Sequence, residues 1–195
     1  MMCNRGRLLV GCPMAPGAAE RSGGAPRSGR TSPSRPGRGR GCWRRGRAPW
    51  ATGCPAAVAA EAAIPGRAVV RFADGGDSRM TRQDFGTATQ AGARPIVPVL
   101  GDGLHGTIRA HRGRTDPARV SGAALEDPGF AAPARAHGSH AERVESTGDS
   151  AAAFGRARES KAGALLDIAV SPEAPMPRRT LSRMHDTALA AKAKA

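Results

Sequence analysis

The chain has 195 residues, with 30 Lys and Arg against 16 Asp and Glu and a formal net charge of +14. Leu, Ile, Val and Phe together number 26, about 13% of the residues, under the ~20% below which a highly charged chain is expected to stay disordered. These proportions argue against a large core, and no apolar run approaches the ~18–20 residues needed to span a bilayer.

Residues 1–50 form a basic segment rich in Arg, Gly, Pro and Ser. Leu9-Val10-Gly11-Cys12 matches a bacterial lipoprotein cleavage pattern, but the apolar run before it is far shorter than the ~7–15 residues a signal requires. Residues 1–60 hold eleven Arg, no Lys and a single acid, Glu20, which is the composition of an organellar transit peptide. Pro13, Pro16, Pro26, Pro33 and Pro36 oppose the amphipathic helix that such a peptide uses. Residues 51–63 are Ala-rich and suit a short helix or a linker, ended by Pro65 and Gly66.

Residues 64–111 read as a small, marginal β-rich module. The β-branched run Arg67–Ala73 is followed by Asp74-Gly75, a turn signal. Pro95–Leu100 is followed by Gly101-Asp102-Gly103, after which Leu104–His111 could return antiparallel. Pro98 assigns its strand to a sheet edge, because it cannot donate to a ladder. Residues 112–149 have the composition of a disordered linker. Residues 150–195 hold two candidate marginal helices. Ser150 would cap the first, which runs to about Val170, and the second runs from Thr180 to about Lys194.

The densest charge lies in Arg35–Trp50, where Arg35, Arg38, Arg40, Arg44, Arg45 and Arg47 surround Trp43 and Trp50 with no acid between them. Nonspecific single-strand binders combine backbone neutralisation with stacking on aromatic or guanidinium planes, and Arg supplies both. The stretch resembles the RG-type disordered segments of RNA-binding proteins, which implies nonspecific nucleic-acid binding through these eight residues. Composition bias predicts the same run. Arg outnumbers Lys 27 to 3, Asn4 is the one Asn, Tyr is absent, and Ala, Gly, Arg and Pro dominate. GC-rich codons encode these four residue types.

Other chemistry is sparse. Cys3, Cys12, Cys42 and Cys54 form no C-x2-C pair. His137 and His140 lie near Glu142 in a Gly- and Ala-rich stretch without the rigidity a metal site needs. Gly76-Asp77-Ser78 and Gly148-Asp149-Ser150 repeat the GDS tripeptide of one esterase family, but no G-x-S-x-G elbow accompanies them. No phosphate loop is present.

The expected fold is predominantly disordered and low-complexity, with at most a weak central β-hairpin, two short C-terminal helices and no sizeable core. Three functional readings stay open. The first is a basic chain without a specific molecular function, written by GC-rich codons and even by a spurious reading frame. The second is a nonspecific RNA-binding protein. The third is a transit peptide ahead of a small module. None is an enzyme. No catalytic residue, cofactor, metal or small-molecule substrate is evident, and the only partners suggested are nucleic acid or other polyanions. The location is cytoplasmic by default or organellar.

Overall fold

The structure is a computed structural model and describes residues 7–11, 41–42, 51–64, 66–126, 128–173 and 180–194. Six parallel strands make one sheet in the order β2-β1-β3-β4-β6-β5. They are β1 (Arg7–Gly11), β2 (Gly41–Cys42), β3 (Ala68–Asp74), β4 (Ile96–Gly101), β5 (His140–Val144) and β6 (Ala164–Ala169). The helices are α1 (Gly53–Ala63), α2 (Gly75–Thr81), α3 (Asp84–Gln90), α4 (Gly106–Thr115), α5 (Ala131–Ala136), α6 (Ser150–Glu159) and α7 (Leu181–Lys192).

This architecture overturns the expectation of a predominantly disordered chain without a core. Strands of a parallel sheet are covered on both faces, so they read as short continuous apolar runs rather than as alternation. β4 shows this, with Ile96, Val97, Pro98 and Val99 all buried. One face packs Ala73, Val97, Val99 and Leu165 against Cys54 of α1, Phe85 of α3, Phe130, and Ala131 and Ala134 of α5. The other packs Val70, Ile96, Ala164 and Leu166 against Ala153 and Ala157 of α6. Twelve of the 26 buried apolar residues among those described are alanines. Small residues let helix backbones lie close to the sheet, so a core forms here from side chains that a count of Leu, Ile, Val and Phe leaves out.

The central hairpin is likewise absent. Asp74-Gly75 does not reverse the chain; it opens α2, and α2 and α3 carry the chain across one face to a parallel β4. Such a crossover between parallel neighbours is the standard solution in an α/β sheet. Pro98 lies in an interior strand, not an edge. The ladder from β4 to β6 is continuous over Ile96–Gly101, while the ladder to β3 pairs Val70 with Ile96 and resumes at Ala73 with Val99. The interruption falls at Val97 and Pro98, so the missing donor costs pairing on one side only.

The first C-terminal helix is shorter than its sequence suggests. α6 ends at Glu159, and Ala164–Ala169 form β6 between β4 and β5. Asp149, not Ser150, takes the cap position, and the Ser150 hydroxyl donates to the Ser146 carbonyl at 3.3 Å. α7 starts after Thr180, whose hydroxyl accepts from the Arg183 N–H at 3.2 Å.

Candidate functional site

Open parallel sheets bind ligands outside the carboxyl ends of their strands. Here two neighbouring strands, β3 and β4, deliver Asp-Gly turns to that edge. Asp74 pairs in register with Leu100, which places Asp102 two residues further on, just past the end of the adjacent strand.

β3 passes into α2 with no intervening loop. Asp74 is extended and caps α2, its Oδ1 accepting from the Asp77 N–H at 2.7 Å. Gly75, Gly76, Asp77 and Ser78 are buried. A Cβ on Gly76 would lie 2.5 Å from His105 Cε1 and 3.3 Å from Asp74 Oδ1, so only glycine lets the two turns meet. Burial pushes the Asp74 carboxyl above its ordinary range, partly offset by the Arg71 and His105 charges and by the backbone at Gly76.

The second turn is equally fixed. Asp102 Oδ1 accepts from the Leu104 N–H at 3.0 Å, and Gly103 has φ of 67°, where glycine is unstrained. The His105 N–H donates to the Ala123 carbonyl and the Leu125 N–H to the Gly103 carbonyl, each at 2.8 Å. This strap, with an antiparallel bridge between Leu104 and Ala124, holds the turn from outside. α4 then starts at Gly106, where a Cβ would lie 3.1 Å from Asp102 Oδ2.

Beneath the first turn lies a buried ion pair between Arg71 and Asp77, with side chains 1% and 2% exposed. Asp77 Oδ1 also accepts from the Ala51 N–H at 2.7 Å. Gly53 gives the Arg71 guanidinium its space at the start of α1. One charge pair thus ties α1, β3 and α2 together below Asp74. Cys54, nearby, has its thiol pushed up to about 11, chiefly by burial, which makes it a packing group rather than a nucleophile.

Two carboxylates beside glycine-rich turns form a hard-oxygen donor set. Among the described residues no group of three or more His, Cys, Asp or Glu side chains could hold a metal unaided. Such an edge suits Mg2+, which is held by one or two carboxylates and completes its shell with phosphate and water oxygens.

The eight residues predicted from sequence, Arg35, Arg38, Arg40, Trp43, Arg44, Arg45, Arg47 and Trp50, lie outside the described residues. His140 and Glu142 meet at 3.1 Å on β5, where Arg156 binds the Glu142 carboxylate and holds it below its ordinary range. His137 is elsewhere, at the end of α5 against Gly86. Asp77 and Ser78, of the first GDS tripeptide, are buried. Sequence reasoning missed Asp74, Gly76 and Asp102. The available signal was two β-branched runs, each followed by an Asp-Gly pair and then by residues without strand character.

Residues 38–168 match the family described as thiamine pyrophosphate enzyme, C-terminal TPP binding domain. Among solved structures, the thiamine diphosphate-dependent 4-hydroxybenzoylformate decarboxylase of Rhodococcus jostii RHA1 is similar, at 25% identity and a TM-score of 0.56. The similarity covers 61% of this chain and 22% of that one, so the chain spans about a fifth of the decarboxylase's length. A comparison with curated protein sequences finds no match. These findings overturn two of the sequence readings, no specific function and nonspecific nucleic-acid binding. They also overturn the exclusion of an enzyme. The matched residues take in Arg38 to Trp50, so most of the Arg-rich stretch belongs to the domain's own sequence.

Proposed function

The chain belongs to the family of C-terminal TPP binding domains of thiamine pyrophosphate enzymes; from that premise we propose that the edge formed by β3 and β4 holds the diphosphate end of this cofactor through a divalent cation. The observation that carries this reading is the pair of adjacent Asp-Gly turns, with carboxylates of Asp74 and Asp102 at neighbouring strand ends. The donor set fits the group. Hard carboxylate oxygens suit a divalent cation, and Gly76, Gly103 and Gly106 let the two turns that carry them pack closely.

Asp74 and Asp102 would hold the cation, and the cation would neutralise the diphosphate beside them. A cation also offsets the cost of burying Asp74, whose carboxylate is disfavoured by desolvation. The His105 ring lies against Gly76, beside the Asp74 turn. When bound, thiamine pyrophosphate supplies a carbanion-stabilising ylid. By likeness to the decarboxylase, the proposed reaction class is decarboxylation of a 2-oxo acid.

The test is calorimetric titration of thiamine pyrophosphate into the full chain with Mg2+. Saturable binding that a chelator abolishes, and that Asp74→Asn and Asp102→Asn each weaken at least ~10-fold, is the expected result. Absence of binding, or binding indifferent to the chelator and to both substitutions, refutes the proposal.

A further inference from the structure

The turn that carries Asp102 touches an element outside the family-matched residues. α7 lies beyond residue 168 and packs along α4. Leu181 and Met184, 6% and 7% exposed, form an apolar cluster with Ala110 of α4, and Leu104 packs against that cluster. Leu104 is two residues after Asp102, to which its N–H is bonded, and one before His105.

We propose that α7 is a positioning element for the cofactor edge, with Leu181 and Met184 as positioning residues that act through Leu104. The inference rests on the functional reading above. The strap at Ala123–Leu125 holds the backbone of the turn, but a backbone ladder leaves the side chain of Leu104 to choose its own seat. The α7 cluster provides that seat. With it filled, the Leu104 N–H stays on Asp102 Oδ1 and fixes which way the carboxylate points. Groups that orient a metal ligand without touching the metal commonly change affinity 10–100-fold when removed.

The experiment measures Mn2+ affinity by electron paramagnetic resonance on the full chain with saturating thiamine pyrophosphate, alongside amide hydrogen exchange at Leu104 and His105. Met184→Ala is expected to weaken Mn2+ at least ~10-fold and to speed exchange at both amides, and Met184→Leu to restore both. The double variant Leu104→Ala/Met184→Ala should bind no more weakly than Leu104→Ala alone, since both act through one contact. Val58→Ala, in a separate cluster with Ala88 and Ala93, controls for general destabilisation. Parental affinity and exchange in Met184→Ala overturn the inference, as do multiplying losses in the double variant or an equal loss in Val58→Ala. If the parent chain binds no Mn2+, the functional reading fails. Exchange at Leu104 and His105 then decides separately whether α7 holds the turn.

Discussion

Asp74 is expected to carry opposite effects on stability and on binding, and Asp74→Asn separates them. The substitution keeps an acceptor for the Asp77 N–H, now 2.7 Å from Oδ1, and removes the charge. Asn caps helices about as well as Asp, whereas loss of the capping oxygen costs about 1 kcal/mol. Burial raises the Asp74 pKa in the folded state, and Arg71 and His105 offset this only in part. Above the ordinary value of 3.8, the folded protein therefore keeps a proton that the unfolded chain has released. Stability falls as pH rises through that window, because the native state binds more protons than the unfolded one. Asp74→Asn removes this contribution. Urea denaturation should show it at least as stable as the parent at neutral pH, with a shallower fall as pH rises above the ordinary carboxylate value. Asp74→Ala, which also loses the cap, should lie about 1 kcal/mol below Asp74→Asn. Both should bind cation and cofactor more weakly. If Asp74→Asn is destabilised by more than about 1 kcal/mol at neutral pH, the account of a carboxylate held against its own desolvation is wrong.

Two further substitutions probe the scaffold of the same edge. Asp77→Ala removes the carboxylate from the buried Arg71–Asp77 pair and should cost about 3–5 kcal/mol in chemical denaturation, with Arg71→Met/Asp77→Leu recovering most of it; a loss under about 1 kcal/mol would show that the pair does not hold α1, β3 and α2 together. Gly76→Ala drives a methyl to 2.5 Å from the His105 ring and should lower stability by about 1–3 kcal/mol while weakening the cofactor; unchanged melting and binding would mean the two turns are not in close contact.

The buried strands were legible as apolar runs at Arg67–Ala73 and Pro95–Leu100, and both lie inside or beside observed strands. Their pairing was not legible. An Asp-Gly pair after a strand serves equally as a hairpin turn or as the cap of a following helix. Local sequence at Asp74 does not distinguish them; the burial of Gly75–Ser78 against the sheet does. The core was hidden by its chemistry. Ala57, Ala88, Ala110, Ala153 and Ala157 are all at most 3% exposed, yet each looks like compositional filler in a chain with 39 alanines. Arg71 was hidden for the converse reason. An Arg inside an apolar run reads as a solvent-facing position, and its buried ion-pair partner, Asp77, lies six residues on in the next helix. The Arg-rich stretch drew attention because charge is conspicuous in a sequence, while glycine at 76 and Asp at 102 gain meaning only when β3 and β4 lie side by side.

The proposed site puts the cation, and the diphosphate it holds, at the ends of β3 and β4. Paramagnetic broadening of backbone amide resonances by Mn2+ with thiamine pyrophosphate locates them directly. Selective loss of signal is expected at residues 74–77 and 101–106, reversed by chelator and absent in Asp102→Asn. Broadening centred elsewhere, at Glu142 on β5 or at Glu173 for example, or none at all, would contradict it.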